Sequence, residues 1–381
     1  MQPNCGGRVK LLIQPDNGIK PLLDALGKAK KSIKILIFRF DRIEIEKALV
    51  AAVARGVAVQ ALTAYTNQGE EKNLRRLEMR LLGQGITVTR TAEDLVRYHG
   101  KMIIIDDKVL YLLGFNFTHI DIDLSRSFGV AITKAGLVKE AIRLFECDAK
   151  RRPYTKAKDD LVVSPVNARR RLTEFISSTK KRLLIYEMKI SDRDFLNLLN
   201  RKISEGTEVR ILSRASTKNG SIPLRRLPSR MHLRAILRDG HSAFLGSQSL
   251  RKLELETRRE IGVIFRDRHV VKQMEAIFEK DWRLSEPVVG TSDIDSALAL
   301  PAKKVAKEVA KYVAIKRVVE QVLDKVMDEK EEACFEPEEV AQTVREAFQE
   351  EVQGAVAHAL KDVIVDTARE KANEPAPKSK E

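Results

Sequence analysis

The chain has 381 residues, 43% of them hydrophobic and 32% charged, with a net charge of +15. That balance reads as a water-soluble globular protein, long enough for two ordinary domains or for a pseudo-symmetric pair with an appendage. No apolar run approaches the roughly 18 residues of a membrane span, and the start "MQPNCGGRVKLLIQP" lacks the charged, apolar and small-residue succession of a signal peptide, so a cytoplasmic protein is expected.

The first half alternates strand-like and helix-like segments. "VKLLIQP" (9–15) and "SIKILIFRF" (32–40) flank a helical stretch; the helix "EIEKALVAAVARG", the strand "VAVQALTAY", a helix through "EKNLRRLEMRLLGQG" and the strand "ITVTRT" follow, and a further strand opens at His99. Apolar strands of this length alternating with helices indicate an α/β sheet covered on both faces. The second half repeats the order with "DLVVSP" (160–165), a helix through "ARRRLTEFISSTKK", the strand "RLLIYEM", the helix "DFLNLLNRKISEG" and the strand "TEVRILSR". Duplication on this scale predicts two similar α/β units, residues 8–150 and 158–286, packed face to face around one shared site. Ahead of His232 lies "ASTKNGSIPLRRLPSRM", where Gly220, Pro223 and Pro228 predict a loop, and Lys218, Arg225, Arg226 and Arg230 are candidates to line the mouth of the site.

The character changes after residue 289. Residues 290–381 hold 14 basic and 20 acidic residues against 55 and 34 in the remainder, so the basic excess lies on the duplicated part. An anionic partner is implied, nucleic acid or anionic lipid, and charge alone does not separate the two. In "PAKKVAKEVAKYVAIKRVVEQVLDKVM" the residues Val305, Val309, Tyr312, Val319, Leu323 and Val326 form one stripe at helical spacing, with Pro301 and Pro337 placed as helix starts. A helical extension over 292–370 is expected to pack against the body or to associate with a second chain, a membrane-surface helix being the sharper alternative. Residues 371–381 read as a disordered tail. Cys5, Cys147 and Cys334 are odd in number and far apart, without the spacing of a zinc site or a disulfide framework.

Two histidine motifs carry most of the chemistry. His99-Gly100-Lys101 is followed by four residues and Asp106, and His232-Leu233-Arg234 by four residues and Asp239. From His99 it is 17 positions to Asn116 in "LLGFNFT", and from His232 it is 17 to Ser249 in "FLGSQS". An imidazole and a cation two apart on an extended segment share a face. That suits a phosphate held by the cation and attacked by the imidazole. Two histidines on opposite sides of a phosphorus supply a nucleophile and a proton donor without a metal or other cofactor, if one is neutral and the other protonated. The remaining histidines, His119, His241, His269 and His358, have no second landmark and read as surface or locally bonded residues.

An H-x-K-x4-D segment with a Gly-Ser-x-Asn-like turn downstream, present twice, resembles the phospholipase D superfamily over roughly residues 8 to 285. The resemblance implies a pseudo-twofold pair of α/β domains, each a mostly mixed sheet flanked by helices, and a phosphodiesterase that works through a phosphohistidine. It implies that His99 is the nucleophile and that His232 protonates the leaving group and later activates water. Lys101, Arg234 and Asn116 would hold the phosphoryl oxygens, with Ser247 and Ser249 adding hydroxyls. An acid about eleven positions past the Asn orients the opposite histidine in the family; here that is Glu260 for His99, while Ser127 stands at the matching place for His232. Asp106 and Asp239 are structural by the same resemblance. Further departures are Arg234 for Lys, Ser249 for Asn and Leu113-Gly114 for Gly-Ser, so the His232 side is the altered one.

Three functions compete. The first is a phospholipase D-like phosphodiesterase that hydrolyses phospholipid head groups or transfers phosphatidyl groups, in peripheral contact with an anionic membrane. The second is a metal-independent nuclease of the same superfamily, against which the aromatic content of 5% weighs slightly. The third is a catalytically silent anion-binding or assembly protein.

Overall fold

The computed structural model describes residues 8–66, 71–213, 222 and 224–287. The first half runs β1 (Val9–Gln14), α1 (Lys20–Gly27), β2 (Ser32–Ile37), α2 (Ile43–Ala54), β3 (Ala58–Thr63), α3 (Glu71–Gly83), β4 (Thr87–Arg90), β5 (Arg97–Tyr98), β6 (Met102–Ile105), β7 (Val109–Leu113), α4 (His119–Ile122), β8 (Ser127–Ile132) and α5 (Ala135–Ala149). The second runs β9 (Leu161–Val163), α6 (Ala168–Ser177), β10 (Arg182–Glu187), α7 (Arg193–Ser204), β11 (Glu208–Ser213), β12 (Leu224–Arg226), β13 (Ala235–Arg238), β14 (Ser242–Gly246), α8 (Lys252–Glu256), β15 (Arg258–Arg259), β16 (Ile261–Phe265), α9 (Arg268–Leu284) and β17 (Glu286–Pro287).

These elements form a mixed sheet in each half, ordered β1-β8-β7-β6-β2-β3-β4 and β17-β12-β11-β10-β13-β14-β16-β9. The central strands are apolar on both faces because both faces are covered. One face of the first sheet packs on α1, α2 and α3 through Leu22, Leu26, Leu49, Leu77 and Leu81. The corresponding face of the second packs on α6 and α7 through Leu172, Phe175, Phe195 and Leu199. The other faces share one core: Leu36, Met102, Leu112 and Val130 join Leu184, Ala235, Leu245 and Val263, together with α5 and α9. The expected loop before His232 is in part a strand, since Leu224–Arg226 pairs with β11 and β17. Lys218, Gly220 and Pro223, together with Cys5, Cys334, His358, the expected helical extension and the tail, lie outside the described residues.

The motif aspartates are clamps on the backbone. Asp106 and Asp239 both adopt positive φ, 54° and 51°, in the turns after β6 and β13. The carboxylate of Asp106 accepts N–H groups from Lys30, Lys31 and Ser32 at 3.0, 2.6 and 3.0 Å. That of Asp239 accepts from Lys180, Lys181 and Arg182 at 3.0, 2.8 and 3.0 Å. Burial works to raise both carboxyls, but the backbone donors prevail and hold them below the usual range. Each clamp therefore fixes the turn after a motif strand to the start of β2 or β10.

A third, two-stranded sheet joins the halves, with β5 parallel to β15 in the register Arg97↔Arg258 and Tyr98↔Arg259. Its pseudo-twofold counterpart is the bridge between Arg126 and Met231. From these crossings the His99 N–H donates to the Arg259 carbonyl at 2.7 Å and the His232 N–H to the Arg126 carbonyl at 3.0 Å. Gly100 makes the close approach possible, because a Cβ there would lie 2.4 Å from Ile261 Cδ1 and 3.0 Å from Leu36 Cδ2. Gly100→Ala is expected to cost about 1–3 kcal/mol by overpacking, read as a lowered denaturation midpoint. A midpoint unchanged from wild type would show that the two halves do not meet there.

Candidate active site

The strand ribbon delivers His99 and Lys101 to one face, and both side chains are almost fully buried. His99 Nδ1 lies 2.9 Å from Glu260 Oε2, a carboxylate from the other half. This fixes the tautomer: Nδ1–H donates to Glu260, and the lone pair on Nε2 faces Lys101 Nζ at 2.8 Å. Lys101 also donates to the His99 carbonyl at 2.8 Å. The ring of Phe38 meets the imidazole edge-on with centroids 4.5 Å apart. Ser247, at the turn after β14, accepts the Ile261 N–H at 3.0 Å and lies beside Glu260, whose carboxylate it helps to stabilise.

On the other side His232 Nδ1 stands 3.0 Å from Asp121 Oδ2, at ion-pair distance though off the hydrogen-bond axis. Asp121 is the second carboxylate that crosses between halves. It also takes the Asn116 N–H at 3.0 Å, Asn116 Nδ2 at 2.7 Å and Arg230 at 2.7 Å. Burial opposes ionisation of Asp121, but His232, Asn116 and Arg230 hold it well below the usual carboxylate range. Arg234 contacts Ser249 Oγ at 3.1 Å and His232 Nε2 at 3.3 Å.

His99, Lys101, Asn116, His232, Arg234, Ser247, Ser249 and Glu260 thus come together, all buried. Arg225 and Arg226 do not. Strand β12 is three strands from β13, roughly 14 Å at about 4.8 Å per strand, and Arg225 there donates to Ser285 Oγ at 2.8 Å and lies 5.2 Å over the Trp282 ring. Arg226 is exposed beside it. Ser127, at the place expected for an acid, donates instead to the His232 carbonyl at 2.7 Å.

Asp121 and Glu187 were not read from the sequence, although both left a signal. An acid stands five positions past Asn116 and also five past Ser249, as Asp121 and Glu254. Glu187 ends the otherwise apolar strand β10 and is fully buried beside Ser249. Burial pushes it up to about 7, while Arg234 opposes.

Burial depresses His99 well below its ordinary value, with Lys101, Arg234 and His232 adding to the effect. It depresses His232 to about 4 against the pull of Asp121, and Lys101 to about 7 against that of Glu260. Each histidine feels the other half's cation, which places the two in one electrostatic pocket. Both imidazoles are therefore neutral near pH 7. Among the described residues no group of three or more His, Cys, Asp or Glu is arranged to hold a metal ion, and no helix is long and apolar enough to cross a membrane.

Lys101 loses its charge as pH rises through about 7. Affinity for sulfate, whose own charge is constant there, is expected to fall several-fold between pH 6 and pH 8 in titration calorimetry, roughly as the cation fraction falls. In Lys101→Arg the decline should vanish; a decline that persists in that variant would assign it to another group. Lys101→Met removes a buried cation and is expected to leave stability unchanged or raise it by about 1–4 kcal/mol, while anion binding is lost.

The sequence profile of the family described as "Cardiolipin synthase, PLD-like domain" matches residues 22–149 and again residues 172–282. No curated protein sequence matches the chain. Among solved structures it is similar to a polyphosphate kinase from Porphyromonas gingivalis, with 18% identity and a TM-score of 0.63 over 74% of this chain and 49% of that one, so it spans about half of that enzyme. It is also similar to a phosphatidylserine synthase from Haemophilus influenzae, with 13% identity and a TM-score of 0.61 over 83% of this chain and 97% of that one. A phospholipase D family member, Nuc from Salmonella typhimurium, aligns at 23% identity and a TM-score of 0.35 over 40% of this chain and 99% of that one. For the kinase and the synthase, at these identities, the likeness is one of fold.

Proposed function

The chain belongs to the cardiolipin synthase, PLD-like domain family, and from that premise we propose that it is a phosphodiesterase that works through a phosphohistidine on His99. The observation that carries this reading is the pair of buried histidines, each with a carboxylate from the opposite half on Nδ1 and a cation beside Nε2. His99 Nε2 attacks phosphorus and the bond to the leaving oxygen breaks, while His232 gives that oxygen a proton. Water then loses a proton to His232 and attacks phosphorus, and the P–N bond breaks; an alcohol in place of water gives transfer. Lys101, Arg234 and Asn116 bear on the phosphoryl oxygens, Ser249 through its contact with Arg234 and Ser247 through Glu260. That Asp121 raises the proton affinity of His232 supports its part as the acid.

Phospholipid is the favoured substrate class. Val96, Ile120, Leu124 and Leu253 are exposed apolar side chains on the segments that carry Arg97, Asp121 and Glu254, and such groups suit an acyl-chain or membrane surface. The activity is then hydrolysis of a head group or transfer of a phosphatidyl group at an anionic membrane. A nuclease is the alternative, supported by the basic excess over residues 1–289.

Purified protein should cleave mixed phospholipid vesicles in EDTA, and cleavage of plasmid DNA with vesicles untouched would decide for the nuclease. His99→Ala is expected to abolish turnover. His232→Ala should still react once with a p-nitrophenyl diester, giving a burst of nitrophenol and then a slow phase. Retention of turnover in His99→Ala with no burst in His232→Ala would reverse the roles, and wild-type rates in both would discard the site. Asp121→Asn should slow turnover of substrates with poor leaving groups by about 10²-fold or more, in the range of general acid catalysis, and spare the nitrophenyl burst; equal losses on both substrates would make its role structural.

A further inference from the structure

At the ends of the second sheet's strands that point away from the histidines lies a cleft of about 510 Å³, lined by Arg238, His241, Arg266 and Arg268. Arg238 closes β13, whose other end follows Arg234, so it stands roughly 13 Å from Arg234 along the strand, at about 3.3 Å per residue. Arg266 follows β16, six positions past Glu260. Arg268 opens the 17-residue helix α9, whose first turn holds no acidic residue. A cation at a helix N-terminus is set against the helix dipole.

The carboxylates around the cleft are already engaged. Asp239 holds the N–H groups of Lys180, Lys181 and Arg182, and Asp267 holds those of His269 and Val270. Glu275, near Gly240, pairs with the Arg182 side chain at 2.9 Å. Among the described residues neither Arg266 nor Arg268 forms an ion pair. Arg238 donates to two neutral acceptors, the Phe175 carbonyl at 3.1 Å and Ser178 Oγ, and its Nε is buried with no partner among the described residues. Burial pushes Arg238 below its ordinary value; Asp239 opposes, and the charges of Arg266 and Arg171 add to the fall. An adjoining cavity shares Arg266, but there the other cations are matched, Lys134 by Asp160 at 2.5 Å and Arg171 by Glu174.

The duplicated fold does not ask for these charges. In the first half the matching positions are Ile105, Lys108, Thr133 and Ala135, which bring a single cation. The turn there also carries Asp107, paired with Lys34 at 2.6 Å, where the second half has Gly240.

We infer that Arg238, His241, Arg266 and Arg268 form a second anion site, remote from the histidines, for a small soluble anion that carries two or more phosphate groups. The volume lies within the roughly 300–1,000 Å³ of small-molecule sites. No apolar side chain lines the cleft, so it offers an acyl chain nothing to bury, and it has no Phe, Tyr or Trp on which a nucleic-acid base would stack. A single phosphate group carries about −1.5 to −2, less than the charge of the three guanidiniums, so two groups match them better. Planar guanidiniums suit such oxygens because each can donate in pairs.

Titration calorimetry on the full chain in EDTA tests this, with pyrophosphate and inorganic phosphate as probes and Lys101→Met as the background that weakens binding at the histidines. One equivalent of pyrophosphate should bind, about tenfold more tightly than inorganic phosphate. Arg266→Thr and Arg268→Ala give the cleft the residues of the first half. Each should lower the affinity for pyrophosphate about tenfold, with the fold verified by circular dichroism, while Arg226→Gln, at an exposed arginine elsewhere, should leave it unchanged. If Lys101→Met does not fold, wild type carries the same comparison. Equal affinity for the two probes, undiminished affinity in both cleft variants, or equal losses in Arg226→Gln and Arg266→Thr overturns the site. Binding of a DNA duplex that Arg266→Thr weakens, with pyrophosphate inert, overturns it in favour of a nucleic-acid surface.

Discussion

Neither half of this protein completes the surroundings of its own motif histidine, and the exchange across the pseudo-twofold is the constraint on which the rest depends. His99 takes its backbone acceptor from Arg259 and its carboxylate from Glu260, while His232 takes Arg126 and Asp121 in return. The shared core beneath these crossings draws large side chains from both sheets. Packing that stabilises the pair of sheets is thus the same packing that sets the aim of both imidazoles. Separation of the halves would remove both carboxylates at once.

The two sides of the site differ within that constraint. Asp121 and Glu254 occupy matching places and each caps a backbone amide, that of Asn116 or of Ser249, so the acid on the short helix has a structural duty in both halves. Only Asp121 also serves a histidine. Its reach to His232 accounts for why serine is tolerated at Ser127, where the hydroxyl supports the His232 carbonyl instead. Arg234 in place of a lysine has a matching change: Glu187 ends β10 where the apolar Ile37 ends β2, and a buried carboxylate offsets part of the guanidinium charge.

Periodicity and duplication made the fold legible, because buried strands and covering helices follow from apolar patterning that both halves repeat. Glu260 was legible only through the family resemblance, which implies an acid about eleven positions past the turn of the opposite motif. Asp121 escaped because a carboxylate on a four-residue helix reads locally as a turn or cap residue, and only the three-dimensional crossing shows that it reaches His232. Arg225 and Arg226 stand away from the site because proximity in sequence to His232 does not survive the return of the chain through β12, next to the edge strand β17. Phe38 carried no sequence signal at all, being one apolar residue among many at the end of a buried strand.

Electrostatics ties the site to the proposed reaction. Lys101, Arg234 and two neutral histidines are held in a buried cluster, with Glu260 raised by burial. Such an arrangement costs stability in the absence of an anion and is relieved when one enters. A phosphodiester brings negative charge to the Nε2 side of both imidazoles, which offsets the Lys101 and Arg234 charges that help to keep His232 down at about 4. The proton affinity of His232 then rises, with Asp121 already in place to stabilise the imidazolium, while His99 remains poised by Glu260 with its lone pair on Nε2. In the proposed reaction the charge of the substrate offsets the cations that hold down both histidines, and Asp121 is what gives His232 the part of the acid beside the nucleophile His99.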